Sequence, residues 1–279
     1  MTPLTLQAVA ADLVNLPAVP AVMTELVGYL QGEDIDAKKV AHLITRDPVL
    51  SARCLNLANS SVYGLNKRVS TIQDAITVIG QQAVSTMVSS LAVASRVAGM
   101  ATHDHALKDI WIHSVCTALC ARVLARHTRL NPETAFTTGL LHDIGKFVLA
   151  ARFKEHYAQV LVHQRAEDCR MAKAEKAVLG FTHAEIGAQV ADEWKFAPEV
   201  GRAVSGHHDP EQHPASTLTS LIHVANALAH VLQFVDDKED LAPRLSEYAL
   251  SRLSLEFDDL KAAMATVEEQ RGDVKHFMF

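Results

Sequence analysis

The chain has 279 residues, enough for one large domain or two modest ones and for a sizeable buried core. Hydrophobic residues make up 49% and charged residues 21%, the balance of a folded globular protein. With 26 Lys+Arg against 32 Asp+Glu and a formal charge of -6, the composition argues against general nucleic-acid binding, which needs clustered cations. The longest basic run is Asn66-Lys67-Arg68.

Met1-Thr2-Pro3-Leu4-Thr5 lacks the basic start and apolar run of a signal peptide. No apolar stretch approaches the length of a membrane span, so a cytoplasmic location without membrane contact is expected. Cys54, Cys116, Cys120 and Cys169 form no CxxC pair and read as small apolar core residues, not a disulfide framework.

Taken in chain order, apolar residues recur at helical spacing almost everywhere, which predicts an all-α fold. Ala37 to Leu57 reads as two helices broken near Asp47-Pro48, with Asp47 as cap and Pro48 at the first helical position. Ile72–Val97 continues as helix, interrupted at Gly80. The polar run Thr102–Asp109, with His103 and His105, reads as a solvated junction. It divides the chain into an N-terminal helical half, 1–101, and a C-terminal helical half, 102–279; one continuous helical domain is the alternative. Trp111–His127 is predicted as a long helix. Asn131-Pro132-Glu133 then caps and opens a helix carrying Phe136 through about Gly145. Arg152–Arg165 and Asp168–Leu179 follow. The next helix is capped by Thr182 and runs to about Trp194. Another spans Ala197-Pro198-Glu199 to the break at Gly206-His207-His208-Asp209-Pro210, and a further helix covers Ser216–Val235. Residues 236–279 alternate between charged and amphipathic stretches and assign no role. No internal repeat is present.

Histidine occurs 15 times, and it is both the commonest metal ligand and a proton carrier near neutral pH. The informative position is the His142-Asp143 pair within Gly139-Leu140-Leu141-His142-Asp143-Ile144-Gly145-Lys146. A neutral imidazole beside a carboxylate is a mixed N/O set suited to first-row transition metals. The plainer reading is a buried pair that satisfies itself. His207-His208 at a helix end could equally be exposed, and His223, among apolar residues, reads as a satisfied core histidine rather than a ligand.

Here the sequence resembles a family. His113, His142-Asp143 and a later polar helical residue follow the order of the HD superfamily of metal-dependent phosphohydrolases. The resemblance is nearer to its HDOD branch. The N-terminal half carries it in Leu16-Pro17-Ala18-Val19-Pro20, Ile44-Thr45-Arg46-Asp47-Pro48-Val49-Leu50, Leu57-Ala58-Asn59-Ser60 and Ile79-Gly80. Ser60-Ser61-Val62-Tyr63-Gly64 looks like a loop of that branch, without assigned chemistry. The C-terminal half adds Gly139–Lys146, Glu175 through His183-Ala184-Glu185-Ile186-Gly187, Trp194, and His207-His208-Asp209-Pro210.

The resemblance implies an N-terminal helical subdomain packed on an HD-like helical core. By analogy with the catalytic relatives, His113, His142 and Asp143 would hold one ion. Asp143 would bridge to a second held by His183, His207 and His208, with Lys146 facing a substrate phosphate. The implied cofactor is one or two ions of iron, manganese, nickel or zinc, and the implied catalytic residues are Asp143 and Lys146. Two departures matter. Asn226 stands in Ile222-His223-Val224-Ala225-Asn226-Ala227-Leu228 where the catalytic relatives carry a ligating aspartate, and no Gly-Tyr-Pro follows His208. The sequence therefore reads as a signal-transduction or regulatory protein with a largely retained, altered metal site, binding a signalling partner or a nucleotide or phosphoester ligand. An active metal-dependent phosphohydrolase is the alternative.

Overall fold

A computed structural model describes residues 3–13, 21–30, 35–59, 63, 69–98, 105–193, 196–234, 243–269 and 271. The motif Leu16–Pro20, the basic run 66–68, His103, most of the stretch 60–64, Trp194 and the charged stretch 235–242 lie outside these residues. The described residues form fifteen α-helices and a short 3₁₀ turn, with no strand among them. None of these helices is long and apolar enough to cross a membrane.

The chain forms two compact units. One comprises Pro17–Gly99 and Glu269–Phe279. Its helices are α2 (Ala21–Leu30), α3 (Ala37–Thr45), α4 (Pro48–Ala58) and α5 (Ile72–Ala98). Asp36 caps α3 by accepting from the Lys38 N–H at 2.8 Å, and Asp47 accepts from the Leu50 N–H at 3.0 Å at the start of α4. Leu26, Val40, Ile44, Leu50, Cys54, Ile76 and Val84 meet in one apolar core. Asn59 closes the connection between α4 and α5 with its side chain. Its amide donates to the Val69 carbonyl at 2.9 Å and its oxygen accepts from the Val69 N–H at 2.8 Å. Within α5, Gly80 has φ 79 and ψ 155, a backbone region open essentially to glycine alone, and the helix bends there.

The other unit comprises Met1–Leu16 and Met100–Glu268. It holds α1 (Leu6–Leu13), α6 (His105–Ala125), α7 (Pro132–Leu141), α8 (Ile144–Arg152), α9 (Lys154–Glu167), α10 (Met171–Leu179), α11 (His183–Glu193), α12 (Pro198–Gly206), the 3₁₀ turn Pro210–Gln212, α13 (Thr217–Leu232), α14 (Glu247–Leu253) and α15 (Phe257–Glu269). α6 and α13 are apolar on nearly every face and pack against each other at the centre. α7 lies along α6, and α11 packs between α8 and α12. A bidentate Arg152–Asp12 pair, at 2.8 and 2.7 Å, ties α8 to α1.

Several boundaries differ from expectation. α6 starts at His105, so part of the polar run is helix, not junction. The helix opened by Asn131, whose side chain accepts from the Thr134 N–H at 3.0 Å, does not continue to Gly145. It stops at Leu141, and α8 begins at Ile144. His142 and Asp143 therefore form the break between two helices. An added Cβ at Gly145 would collide with the His183 carbonyl, so the first turn of α8 packs directly against the start of α11. The C-terminal region, silent in the sequence, contains α14 and α15, capped at Ser246 and anchored by the buried Ala249, Leu260 and Val267.

Candidate metal centre

The ends or faces of six helices supply the site. His113 comes from the middle of α6, His142 and Asp143 from the α7–α8 break, and Lys146 from the first turn of α8. His183 opens α11, His207 and His208 follow α12, and Asn226 lies mid-way along α13. Thr182 starts α11 with a reciprocal cap: its N–H donates to Glu185 at 2.7 Å, and its hydroxyl accepts from the Glu185 N–H at 3.3 Å. His142, Asp143, His183 and His207 are fully or almost fully buried, as are Lys146 and Asn226. His113 and His208 are partly exposed.

Asp143 sits at the focus with one oxygen toward each side. Its Oδ1 lies 3.2 Å from His183 Nε2 and 3.7 Å from His207 Nε2. Its Oδ2 lies 3.3 Å from His142 Nε2, 3.8 Å from His113 Nε2 and 3.0 Å from Lys146 Nζ. One ligand atom each from His183, His207 and His208 fall within 4.8 Å of one another, and the same holds for His113, His142 and Asp143. The six histidine and carboxylate positions singled out in the sequence are thus brought together, with the amide of Asn226 beside His113.

The imidazoles are oriented from behind. His142 Nδ1–H donates to the Gly139 carbonyl and His207 Nδ1–H to the Val204 carbonyl, each at 2.7 Å. Those bonds leave both Nε2 lone pairs facing the centre. His142 Nε2, His207 Nε2 and Asp143 Oδ1 are buried and make no hydrogen bond. Buried polar atoms are normally satisfied. Orphaned nitrogen and oxygen atoms on both sides of Asp143 are donors that divalent transition ions would satisfy.

The electrostatics follow from burial and crowding. Burial, the neighbouring imidazoles and Lys146 hold His208 well below the ordinary histidine range, and burial with His142 does the same for His207. His113 is lowered to about 3 by burial, His230 and His142. Burial works against ionisation of Asp143, but His142 and Lys146 prevail and hold it well below the usual carboxylate range. His183 behaves differently. Burial would lower it, but Glu175 and Asp143 raise it to about 9. At that protonation state its Nε2–H donates to His208 Nε2 at 2.8 Å.

Two residues were not assigned from sequence. Glu175, on α10 and wholly buried, accepts from both the His183 backbone N–H at 2.8 Å and His183 Nδ1–H at 2.7 Å. It is the carboxylate behind a histidine that orients metal ligands and raises their basicity. Its signal was a lone acid on the apolar face of a short helix. His230 lies one turn beyond Asn226 on α13, its ring centroid 4.5 Å from that of His113. Asn226 Oδ1 accepts from His113 Nε2 at 2.9 Å. His223 is buried and bonded at both ring nitrogens, away from the centre.

Residues 16–210 match the HDOD domain. The chain is similar to a protein of Treponema pallidum (strain Nichols) of uncharacterised function, 26% identical over 228 residues, which are 80% of this chain and 43% of that protein. It is similar to Ribonuclease Y of Geotalea uraniireducens (strain Rf4), 28% identical over 122 residues, which are 44% of this chain and 18% of that enzyme. The chain thus spans less than half the length of either relative. The crystal structure of a candidate phosphohydrolase from Shewanella amazonensis SB2B superposes with a TM-score of 0.78 at 29% identity, covering 96% of this chain and 97% of that one. With the matched stretch taking in both units and most of the histidine cluster, this chain belongs to the HDOD domain family.

Proposed function

We propose that the protein is a regulatory module whose HD-type centre holds a divalent transition metal, iron, manganese, nickel or zinc, and uses it to bind a nucleotide or other phosphoester signal for a partner protein. The observation that carries the metal is that His142 Nε2, His207 Nε2 and Asp143 Oδ1, spread over the two ligand groups, are all buried and without a hydrogen bond. His183, His207 and His208 form one ligand group, His113, His142 and Asp143 the other, and Asp143 joins them. Lys146 is the point charge that would face a bound phosphate.

Binding without turnover is argued from charge. Among the described residues Asp143 is the one carboxylate with an oxygen facing each group, and Asn226 adds a neutral amide engaged with His113. A single negative charge offsets two divalent ions poorly, so the His113 group is the weaker one. A bound ion would polarise a phosphoryl oxygen and lower the pKa of a bound water. The second reading, metal-dependent phosphohydrolysis with Asp143 and Lys146 as catalytic residues, is favoured by the 3.0 Å approach of Lys146 to Asp143 inside the cluster and by the similarity to Ribonuclease Y.

Elemental analysis of chelator-free protein, followed by a metal-dependent hydrolysis assay over nucleotides and phosphoesters, separates the two. Bound metal with ligand binding and no hydrolysis is the expected result. Robust metal-stimulated hydrolysis abolished by His142→Ala, with the circular dichroism spectrum intact, would replace the first reading with the second. Protein that takes up none of the four metals overturns both.

A further inference from the structure

The histidine cluster leaves one buried imidazole outside the metal groups. His223 on α13 lies behind the His207 backbone, beyond the stretch that matches the HDOD domain, and its two ring nitrogens face two different parts of the chain. Its Nε2 accepts from the Ser246 N–H at 3.2 Å. Its Nδ1–H donates to the carbonyl of His207 at 2.8 Å. That carbonyl stands at the end of α12, where the last carbonyls of a helix have no partner inside it. The bond from His223 therefore fixes the backbone of the dipeptide that carries two ligands, His207 and His208.

Ser246 belongs to the C-terminal segment. It caps α14 by accepting from the Ala249 N–H at 3.2 Å, and its hydroxyl donates to Glu211 at 3.0 Å. Glu211 lies in the 3₁₀ turn that begins two residues after His208. The segment thus meets the His207-His208 turn twice, once through His223 and once through Glu211.

The chemistry of imidazole couples these contacts. A neutral histidine carries its proton on one nitrogen only, and the hydrogen bond at one nitrogen selects the state of the other. With the Ser246 N–H pointing at Nε2, the lone pair must be there and the proton on Nδ1, where it reaches His207. Undocking of the C-terminal segment removes one of the two bonds that select this tautomer and leaves the His207 carbonyl as the remaining one. In the other tautomer Nδ1 has no proton to give, and the His207 carbonyl loses its donor.

We propose that His223 is a positioning residue through which the C-terminal segment 243–269 controls how well the His207-His208 pair binds metal. This rests on the metal-site reading above.

The test uses the full chain, titrated with Co²⁺ by calorimetry, with the d–d absorption of the bound ion reporting its geometry. His223→Asn places an N–H donor near the Nδ1 position and drops the reach to Ser246; His223→Gln places an acceptor near the Nε2 position and drops the donor to His207. His223→Asn should bind as wild type does, whereas His223→Gln should bind about tenfold more weakly or worse, with an altered d–d spectrum. Ser246→Pro, which removes the N–H, should weaken binding likewise. Ser246→Ala, which keeps the N–H, should not. Circular dichroism establishes that each variant is folded. Wild-type affinity and spectrum in His223→Gln and Ser246→Pro would overturn the inference, and so would equal losses in all four variants, the mark of a merely structural role. Wild-type protein that binds no Co²⁺ overturns the metal-site reading itself and the inference with it.

Discussion

At the scale of single residues, the centre is governed by what stands behind each ligand. Glu175 holds His183 by two hydrogen bonds to one oxygen, while its Oε1 makes none. Glu175→Gln can therefore keep both bonds through its amide oxygen and lose only the charge. Metal affinity should fall about 10–100-fold with the fold intact, as for other groups behind a metal ligand, and calorimetric titration with Mn²⁺ or Zn²⁺ would measure it. The histidines and Asp143 were legible through the resemblance to the HD superfamily, whose motif order they follow. Glu175 carries no legible role in the sequence, because one acid in a short helix looks like any other until the fold sets it against a histidine eight positions later.

At the scale of elements, the break at His142-Asp143 decides the site. A continuous helix would point two neighbouring side chains about 100° apart. Ending α7 at Leu141 lets Asp143 turn both oxygens inward, one toward α11 and α12 and the other toward α6. Gly145 admits the His183 backbone, which cannot shift aside as a flexible side chain could. Gly145→Ala should cost about 1–3 kcal/mol from overpacking, read as a lower thermal midpoint by circular dichroism, and should weaken metal binding together with it. Capping was the part of element structure most open to sequence reading. Asp47, Asn131, Thr182 and Ser216 all sit where a short polar side chain meets a helix start, and each bonds an N–H there. Continuation through the break was misjudged because Gly145 and the apolar residues around it suit a helix equally well on either side.

At the scale of the whole molecule, burying so many titratable rings ties stability to pH. His113, at about 3, and His207 and His208, well below 6.5, refuse protons that the unfolded chain accepts. Their contribution is present above about pH 6.5 and is lost progressively as pH falls toward 3. His183, at about 9, has the opposite sign: its contribution is complete below about pH 6.5 and is lost as pH rises through 9. Metal-free protein should therefore be most stable near neutrality, with the steeper loss on the acid side. Urea midpoints at pH 5, 7 and 9 would show it, and a midpoint still rising between pH 7 and 9 would contradict it. All four cysteines are buried, and burial pushes the Cys54 thiol up to about 12. Native protein at pH 8 should give no reaction with a chromogenic disulfide such as DTNB, and the four thiols should appear only in guanidinium.

The sequence by itself determined the helical class and most helix starts, because hydrophobic periodicity and capping are local. It also singled out His142-Asp143 by residue type, and the resemblance to the HD superfamily named the other histidines. Only the tertiary structure decided that Asp143 faces two groups, that Glu175 stands behind His183, and that residues 243–269 reach the ligand turn through His223. Those depend on which helix ends approach within a few ångströms, and that is settled by long-range packing of α6, α11 and α13 rather than by any pattern within a single helix.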